Sequence, residues 1–325
     1  MIRRNVVLEG DALEVLRGLP AASMECVVTS PPYFKVRDYR AGDQELGQEA
    51  HVTQWVEDLR EVAAEITRVL APWGAFWLNV ADVYASSPAE GAPSKSLLLG
   101  PERLAQALSE DGWIVRNRLA WVKPNPLPSP VADRLTQSWE FMYFLVRSRH
   151  YFFDLDAIRE PLSRPRVARP LRAPSRRPSH GSRDHGHSGL ARLSREGRGG
   201  HPLGKNPGDA WPIAGSRVRG HGASFPAELI RRPILATCPE KVCLGCGEPW
   251  QRARHPVRFS GGQPRPRALV PCGCGVATRP GLVLDPFMGS GTVALVARQH
   301  GRDWLGIELN PAYVKLTSER LERQG

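Results

Sequence analysis

The chain has 325 residues, 41% of them hydrophobic, and a net charge of +11 at pH 7. A chain of this length buries a full α/β core, as one large domain with insertions or as two smaller domains. No apolar run approaches the roughly 18 residues of a membrane span, and no signal-peptide core follows Met1. We therefore expect neither membrane insertion nor export, and a cytoplasmic location.

Strands and helices alternate along most of the chain, which predicts a mostly parallel, doubly wound sheet. The clearest helix is 51–70, where Trp55, Leu59, Val62 and Ile66 recur at helical spacing. The predicted strands are 5–8, 26–28, 75–80, 114–122, 139–146, 282–285 and 304–309, and the predicted helices are 12–19, 51–70, 101–109, 225–234 and 293–299.

The second predicted strand runs directly into Ser30-Pro31-Pro32-Tyr33. The prolines end strand pairing, and their carbonyls accept hydrogen bonds without an N–H group to donate. A hydroxyl, these carbonyls and an aromatic ring are thus brought together at the edge of a sheet. This set suits a flat ring that carries an amine. On these residues alone, an ordinary strand-to-loop turn is the alternative.

Positive charge is concentrated in one polar segment. Residues 163–205 contain ten Arg and one Lys against Asp184 and Glu196, an excess of nine that leaves about +2 for the remaining chain. The segment is rich in Pro, Ser and Gly and has almost no large apolar residues, so it cannot build a core. A solvated linker is the ordinary interpretation, but this density of arginine favours contact with a nucleic acid.

Four of the six cysteines form two close pairs, Cys243 with Cys246 and Cys272 with Cys274. Paired thiolates at this spacing, beside glycines that permit tight turns, are typical of tetrahedral zinc sites and not of a secreted disulfide scaffold. We therefore predict a structural zinc ion without a catalytic role. Cys238 is an alternative ligand.

A glycine-rich turn, 286–292, lies near the end of the chain, between a strand that ends at Asp285 and a helix. The next strand ends at Glu308. Glycines allow close backbone approach to a ligand, and an acidic residue on the next strand suits ribose hydroxyls. The stretch 289–294 also fits a dinucleotide-binding pattern, so an NAD-dependent oxidoreductase is the alternative class. Because only one strand and helix follow the turn, N-terminal segments must complete the sheet in a circularly permuted order.

The Asp-Pro-Phe-x-Gly-Ser-Gly-Thr turn and the Ser-Pro-Pro-Tyr motif together resemble the amino-methylating, S-adenosylmethionine-dependent DNA methyltransferases. The early catalytic motif and late cofactor turn are similar to the β group of that family. The resemblance covers 5–121 and 211–321. It implies a Rossmann-like, doubly wound, mostly parallel seven-stranded sheet, circularly permuted, with a basic insertion and a small zinc-knuckle-like insertion. The expected organisation is a catalytic half at 1–160, a basic target-recognition insertion at 161–210, a cofactor-side segment at 211–237, a Cys-rich zinc-binding insertion at 238–278 and a cofactor-binding half at 279–325.

The resemblance implies a role for each matching residue. Ser30, Pro31, Pro32 and Tyr33 form the expected catalytic motif, with Tyr33 stacked on the base. Asp11 is expected to contact the adenine of the cofactor, although local sequence alone favours a helix cap at this position. The implied cofactor-binding residues are Asp11, His221, Phe225, Pro226, Asp285, Phe287, Gly289, Ser290, Gly291, Thr292 and Glu308.

The implied reaction is methyl transfer to the N4 amine of a cytosine flipped out of double-stranded DNA. A serine at position 30 favours cytosine, since aspartate accompanies adenine in this family; N6-adenine is the alternative. Cys26 lies outside any Pro-Cys nucleophile motif, which argues against C5 methylation. A restriction endonuclease acting on the same site is an expected partner. An oxidoreductase and an RNA- or protein-directed methyltransferase are the remote alternatives.

Overall fold

The computed structural model describes residues 2–37, 45–126, 128–161, 201–216, 225–253, 257–260 and 263–323. Its strands are β1 Val6–Glu9, β2 Met24–Thr29, β3 Leu70–Val80, β4 Ile114–Val122, β5 Trp139–Val146, β6 Ala210–Pro212, β7 Val242–Cys243, β8 Gln251–Arg252, β9 Arg258–Ser260, β10 Gln263–Arg265, β11 Leu269–Val270, β12 Thr278–Arg279, β13 Leu282–Asp285 and β14 Asp303–Glu308. Its α-helices are α1 Ala12–Arg17, α2 Val52–Val69, α3 Gly100–Glu110, α4 Ala227–Thr237, α5 Thr292–Gln299 and α6 Pro311–Arg323.

The chain divides into two compact units. The larger unit comprises residues 1–154, 208–251 and 270–325 and contains the main sheet. The smaller unit comprises 155–207 and 252–269. In the smaller unit, the buried Asp156 carboxylate pairs with Arg159 at 2.9 Å and with Arg267 at 2.7 Å.

The main sheet has the strand order β1-β14-β13-β2-β3-β5-β4-β6. All neighbouring pairs are parallel except those of β5, which is antiparallel to β3 and β4. The last two strands of the chain therefore lie between β1 and β2, which confirms the permuted order. The sequence predicts seven strands, but the described residues form eight, because the three-residue β6 adds to the edge beyond β4.

Helices cover both faces of this sheet, as a doubly wound fold requires. Successive residues of a strand point to opposite faces. On β2, Val27 packs in the apolar cluster that includes α1, α2 and α3, whereas Cys26 and Val28 pack in the cluster that includes α4, α5 and Leu321 of α6. The fully buried β2 is thus the centre of a three-layer sandwich.

Most predicted elements are confirmed, and three, 114–122, 139–146 and 282–285, match to the residue. Other boundaries differ by up to three residues, and the largest difference lies after helix α2. Pro72 and Gly74 are expected to separate α2 from the next strand, yet β3 begins at Leu70, directly after the helix. A shift in the β2–β3 register between Met24 and Cys26 accommodates these residues within the strand.

Candidate active site

The two sequence motifs meet at the carboxyl ends of β2 and β13, which are adjacent and parallel. Thr29, the last residue of β2, donates a hydrogen bond from Oγ1 to Oδ1 of Asp285, the last residue of β13, at 2.6 Å. Both side chains are buried. A residue pair 256 positions apart therefore joins the Ser-Pro-Pro-Tyr motif to the glycine-rich turn, at the edge where ligands bind in open α/β sheets.

A hydrogen-bond chain begins at the hydroxyl of Ser30. Ser30 Oγ donates to Tyr33 Oη at 3.0 Å, and Tyr33 Oη donates to Glu140 Oε2 at 2.9 Å. Asn79 Oδ1 lies 3.2 Å from the same tyrosine hydroxyl. These contacts fix the position of the Tyr33 ring, and its stacking on a base stays a prediction. The indole of Trp55 donates to the carbonyl of Pro32 at 3.0 Å and anchors the turn from helix α2.

Sequence reasoning missed three polar residues of this chain of contacts. Glu140 lies near the start of the otherwise apolar β5, Lys123 directly follows β4, and Asn79 is a buried polar residue of β3. Lys123 Nζ forms an ion pair with Glu140 Oε1. The available signal was the presence of a carboxylate in the apolar run Trp-Glu-Phe-Met-Tyr-Phe-Leu-Val, since a half-buried charge in a strand requires a partner.

The glycine-rich turn is held by contacts from neighbouring elements. Glu308 Oε2 accepts from the Gly289 amide at 2.7 Å, and Oε1 accepts from Asn310 at 2.8 Å. Gly291 has φ of 75°, and a Cβ at this position would lie 2.5 Å from Thr317 Cγ2. This position therefore requires glycine for its backbone conformation and for its close packing against α6.

Two predicted cofactor-binding residues of this turn, Ser290 and Thr292, also form hydrogen bonds within the protein. The Arg320 guanidinium donates to the Ser290 carbonyl at 2.8 Å and to Thr292 Oγ1 at 3.0 Å, and both residues are buried. Arg320 thus ties the start of α5 to α6. Direct cofactor contacts of Ser290 and Thr292, like those of Phe287, stay predictions.

At the carboxyl ends of the strands, the Asp285 carboxyl has a strongly raised pKa. Its Oδ1 accepts from Thr29 and from the Phe287 amide at 3.1 Å, whereas its buried Oδ2 has no hydrogen-bond partner among the described residues. Burial raises the pKa of Asp285 to about 7. Burial also raises the pKa of the Glu308 carboxyl. A buried carboxylate oxygen without a donor is costly for the free chain and is an acceptor for a ligand.

Among the remaining predicted cofactor residues, Asp11 lies just after β1, and Phe225 and Pro226 lie just before α4. Asp11 Oδ1 accepts from the Glu14 amide at 3.0 Å, so the capping interpretation is confirmed for α1. The preceding residue, Gly10, bonds to the Glu308 carbonyl, so Asp11 lies beside the end of β14. Pro226 precedes α4 and the partly buried Phe225 packs on the core. His221 lies outside the described residues. The cofactor contacts of these residues stay predictions.

The four paired cysteines come together in space, with their Sγ atoms all within 4.8 Å of one another. The buried Cys238 is not part of this group. Cys26 is fully buried, and burial raises the pKa of its thiol to about 12. A thiol so poorly ionised is not a nucleophile, which agrees with its predicted place in the core.

Comparison with known proteins identifies the family. The family model N6_N4_Mtase, described as DNA methylase, matches residues 24–319. The type II methyltransferase M.Cfr9I of Citrobacter freundii is 34% identical over 97% of this chain and 87% of its own, and M.XycI of Xanthomonas campestris pv. cyanopsidis is 34% identical over 100% and 90%. The chain belongs to the N6/N4 amino-methylating DNA methyltransferase family, which confirms the resemblance noted above.

Solved structures show the same fold. The PvuII cytosine-N4-specific DNA methyltransferase superposes with a TM-score of 0.58 at 20% identity, covering 97% of this chain and 85% of its own. The putative DNA modification methylase TTHA0409 of Thermus thermophilus, complexed with S-adenosyl-L-methionine, superposes with a TM-score of 0.56 at 23% identity, covering 98% and 93%. Among the described residues, no helix of the chain has the length and apolar character of a membrane span.

Proposed function

We propose that this methyltransferase transfers a methyl group from S-adenosylmethionine to the N4 amine of a cytosine flipped out of double-stranded DNA. The observation that carries the proposal is the Thr29–Asp285 hydrogen bond, which places the Ser-Pro-Pro-Tyr motif beside the glycine-rich turn. Serine at position 30 favours cytosine. M.PvuII of Proteus hauseri is 25% identical over 96% of this chain, and the PvuII enzyme is cytosine-N4-specific by name. N6-adenine is the alternative target.

The residues at the sheet edge fit such a cofactor. S-adenosylmethionine carries an ammonium group and ribose hydroxyls, all of which donate hydrogen bonds. The unpartnered Asp285 Oδ2 and the carboxylate of Glu308 provide acceptors at adjacent strand ends. The turn 286–292 and Asp11 complete the proposed binding set, with Phe225 and Pro226 from the segment before α4. When bound, the cofactor supplies a sulfonium methyl group as the electrophile.

The chain's own residues act on the amine of the base. Its lone pair is delocalised into the ring, which makes the nitrogen a poor nucleophile. Ser30 Oγ and the Pro31 carbonyl accept hydrogen bonds from the amine and so shift electron density onto the nitrogen in the transition state. The transfer is direct: the nitrogen–methyl bond forms as the sulfur–methyl bond breaks, and the methylated nitrogen releases one proton to solvent. Cys26 is buried and its thiol is un-ionised, so it forms no covalent enzyme–base intermediate.

Double-stranded DNA is the proposed substrate. Flipping a base costs a few kcal/mol, which phosphate contacts from arginines offset. Most of the Arg-rich segment 163–205 lies outside the described residues, so its contact with DNA stays a prediction. The relatives are type II methyltransferases, and a restriction endonuclease acting on the same site is the proposed partner.

Nucleoside mass spectrometry tests this function. Several DNAs that differ in sequence are incubated with the purified chain and cofactor labelled in the methyl group, then digested to nucleosides. We expect label in N4-methylcytosine. Label in N6-methyladenine instead would replace the target base while keeping the enzyme class. Absence of label from every DNA, with labelling of RNA or protein, would overturn the DNA substrate.

A further inference from the structure

The cysteine cluster lies apart from the residues assigned to methyl transfer, and we propose that Cys243, Cys246, Cys272 and Cys274 bind one structural zinc ion. Their four Sγ atoms lie within 4.8 Å of one another. Tetrahedral zinc with Zn–S bonds of ~2.3 Å places sulfurs ~3.8 Å apart, so small movements bring the group to coordination distance. Four thiolates fill a tetrahedral site and leave no open position for catalysis.

The backbone around the cluster has the form of two knuckles. The Gly245 amide donates to Cys243 Sγ at 3.4 Å. Each of the other three cysteines is followed by a glycine with positive φ, at 74°, 86° and 68° for Gly247, Gly273 and Gly275. The Cys243 sulfur also accepts from the Cys246 amide, and the Cys246 sulfur accepts from the Glu248 amide. Backbone donors of this kind stabilise thiolate ligands.

The cluster brings together two segments, 243–246 and 272–274, that are distant in the sequence. Cys243 belongs to β7, which pairs with β12 in an antiparallel ladder, Thr278 opposite Cys243. The adjoining Arg279 donates to Glu25 Oε1 at 2.7 Å, and Glu25 Oε2 accepts from the Leu282 amide at 2.6 Å. The proposed ion therefore stabilises the entry into β13, the strand that ends at Asp285.

Metal analysis of the purified full-length chain tests this proposal. We expect about one zinc per chain in the wild type and in Cys238→Ala, which removes a buried thiol outside the cluster, and almost none in Cys272→Ser. Cobalt substitution of the wild type should give thiolate-to-cobalt charge-transfer absorption, a readout that does not depend on a variant that folds. Chelation should increase hydrogen exchange at the amides of β12 and β13.

Two outcomes would overturn the zinc site. One is a wild-type chain that retains no zinc after exposure to it and gives no charge-transfer band with cobalt. The other is full zinc content in Cys272→Ser together with its loss in Cys238→Ala, which would assign the metal to different ligands.

A second, independent observation concerns the direction of the hydrogen bonds at Ser30. The Glu140 carboxylate is the ion-pair partner of Lys123 and accepts, so the Tyr33 hydroxyl donates to Glu140, and Tyr33 Oη is left to accept from Ser30. The nearby Asn79 Oδ1 is also only an acceptor, because its Nδ2 donates to the Phe141 carbonyl at 2.8 Å. The single proton of Ser30 is therefore committed, and Oγ presents only lone pairs.

We infer that Glu140 is a positioning residue that makes Ser30 an obligate acceptor. This inference rests on the proposed function, because an obligate acceptor selects an amino group, which donates, over a ring carbonyl, which does not. Lys123 supplies the counter-charge of Glu140. Glu140 thus contributes to the selection of an amine-bearing base without contacting the base, through Tyr33 and Ser30.

Glu140→Gln tests the inference, because a glutamine amide can donate to Tyr33 and reverse the chain. We expect kcat to fall about 10- to 100-fold while KM for the cofactor stays within about twofold. Tyr33→Phe should add little to the loss in Glu140→Gln, since both act through the same hydroxyl. Discrimination in binding between cytosine and uracil at the target position should also decrease. Glu57→Gln, at an exposed ion pair with Arg60, is the matched control.

The possible failures are distinguishable. Wild-type turnover in Glu140→Gln, or losses that add fully in the double variant, would overturn the role of Glu140 and leave the proposed function intact. A wild-type chain that methylates neither cytosine nor adenine would overturn the proposed function and this inference together.

Discussion

Replacing Ser30 with alanine is expected to reduce methyl transfer to DNA about 10²- to 10³-fold without weakening cofactor binding. The serine hydroxyl is the acceptor at the end of the Ser30–Tyr33–Glu140 chain, and alanine removes it while leaving the backbone of the motif in place. The loss therefore falls on the transition state, where electron density must build on the amine nitrogen. Single-turnover transfer of labelled methyl groups and calorimetric titration of the cofactor measure the two quantities separately.

Ser23→Ala is the matched control for this experiment. Ser23 lies just before β2, at the opposite end of the same strand, where its Oγ donates to the Pro20 carbonyl at 2.6 Å. We expect its turnover to stay close to that of the wild type. If Ser30→Ala turns over as fast as Ser23→Ala, the hydroxyl has no part in the reaction. Equal loss of cofactor affinity and turnover would instead indicate a collapsed site.

The sheet itself was largely predictable from the sequence because its strands are apolar runs bounded by prolines, glycines and charged residues. The circularly permuted order was predictable from the late position of the glycine-rich turn, whereas the order of the strands within the sheet was not predicted. The antiparallel direction of β5 was not predictable, since its apolar run is the same in either direction. The two-residue strands β7 and β12 carry no periodicity at all.

The site was predictable only in part, because the residues that form it are far apart in the sequence. Sequence motifs mark Ser30 and Asp285 separately, but the bond from Thr29 to Asp285 depends on β2 and β13 being neighbours. Glu140 belongs to no motif and contributes through the β3–β5–β4 pairing that brings it to Tyr33. Its one local sign, a carboxylate in an apolar strand, indicates that a partner is needed but not which residue the partner is.

Replacing Asp285 with asparagine is expected to have opposite effects on stability and on cofactor binding. The Asp285 carboxyl is buried, its Oδ2 has no partner among the described residues, and burial raises its pKa to about 7. In the unfolded chain an aspartate has a pKa of about 3.9. The folded chain therefore holds a proton that the unfolded chain releases between these values, and wild-type stability falls as pH rises from about 4 to about 7.

Asparagine removes this pH dependence. Above the folded-state pKa of about 7, the variant should be more stable than the wild type, by on the order of 4 kcal/mol at most. Urea unfolding at pH 5 and pH 8 measures the difference, and the exposed Asp209→Asn is the control. A stability difference that is the same at both pH values would show that Asp285 does not titrate in this range.

Cofactor binding should respond in the other direction, because a free carboxylate is the form that accepts from an ammonium or hydroxyl group. We expect the wild-type affinity for S-adenosylmethionine to rise as pH increases through about 7, and Asp285→Asn to bind about 10- to 100-fold more weakly at pH 8. Calorimetric Kd values across this range provide the measurement. Tight, pH-independent binding by Asp285→Asn would leave the buried Oδ2 without a ligand. The loss of folding stability caused by this buried carboxylate would then have no explanation in cofactor binding. A binding group that is held in place before the ligand binds therefore lowers folding stability and raises ligand affinity. A hydrogen bond to an acceptor that is shielded from water is stronger than one to an acceptor in water.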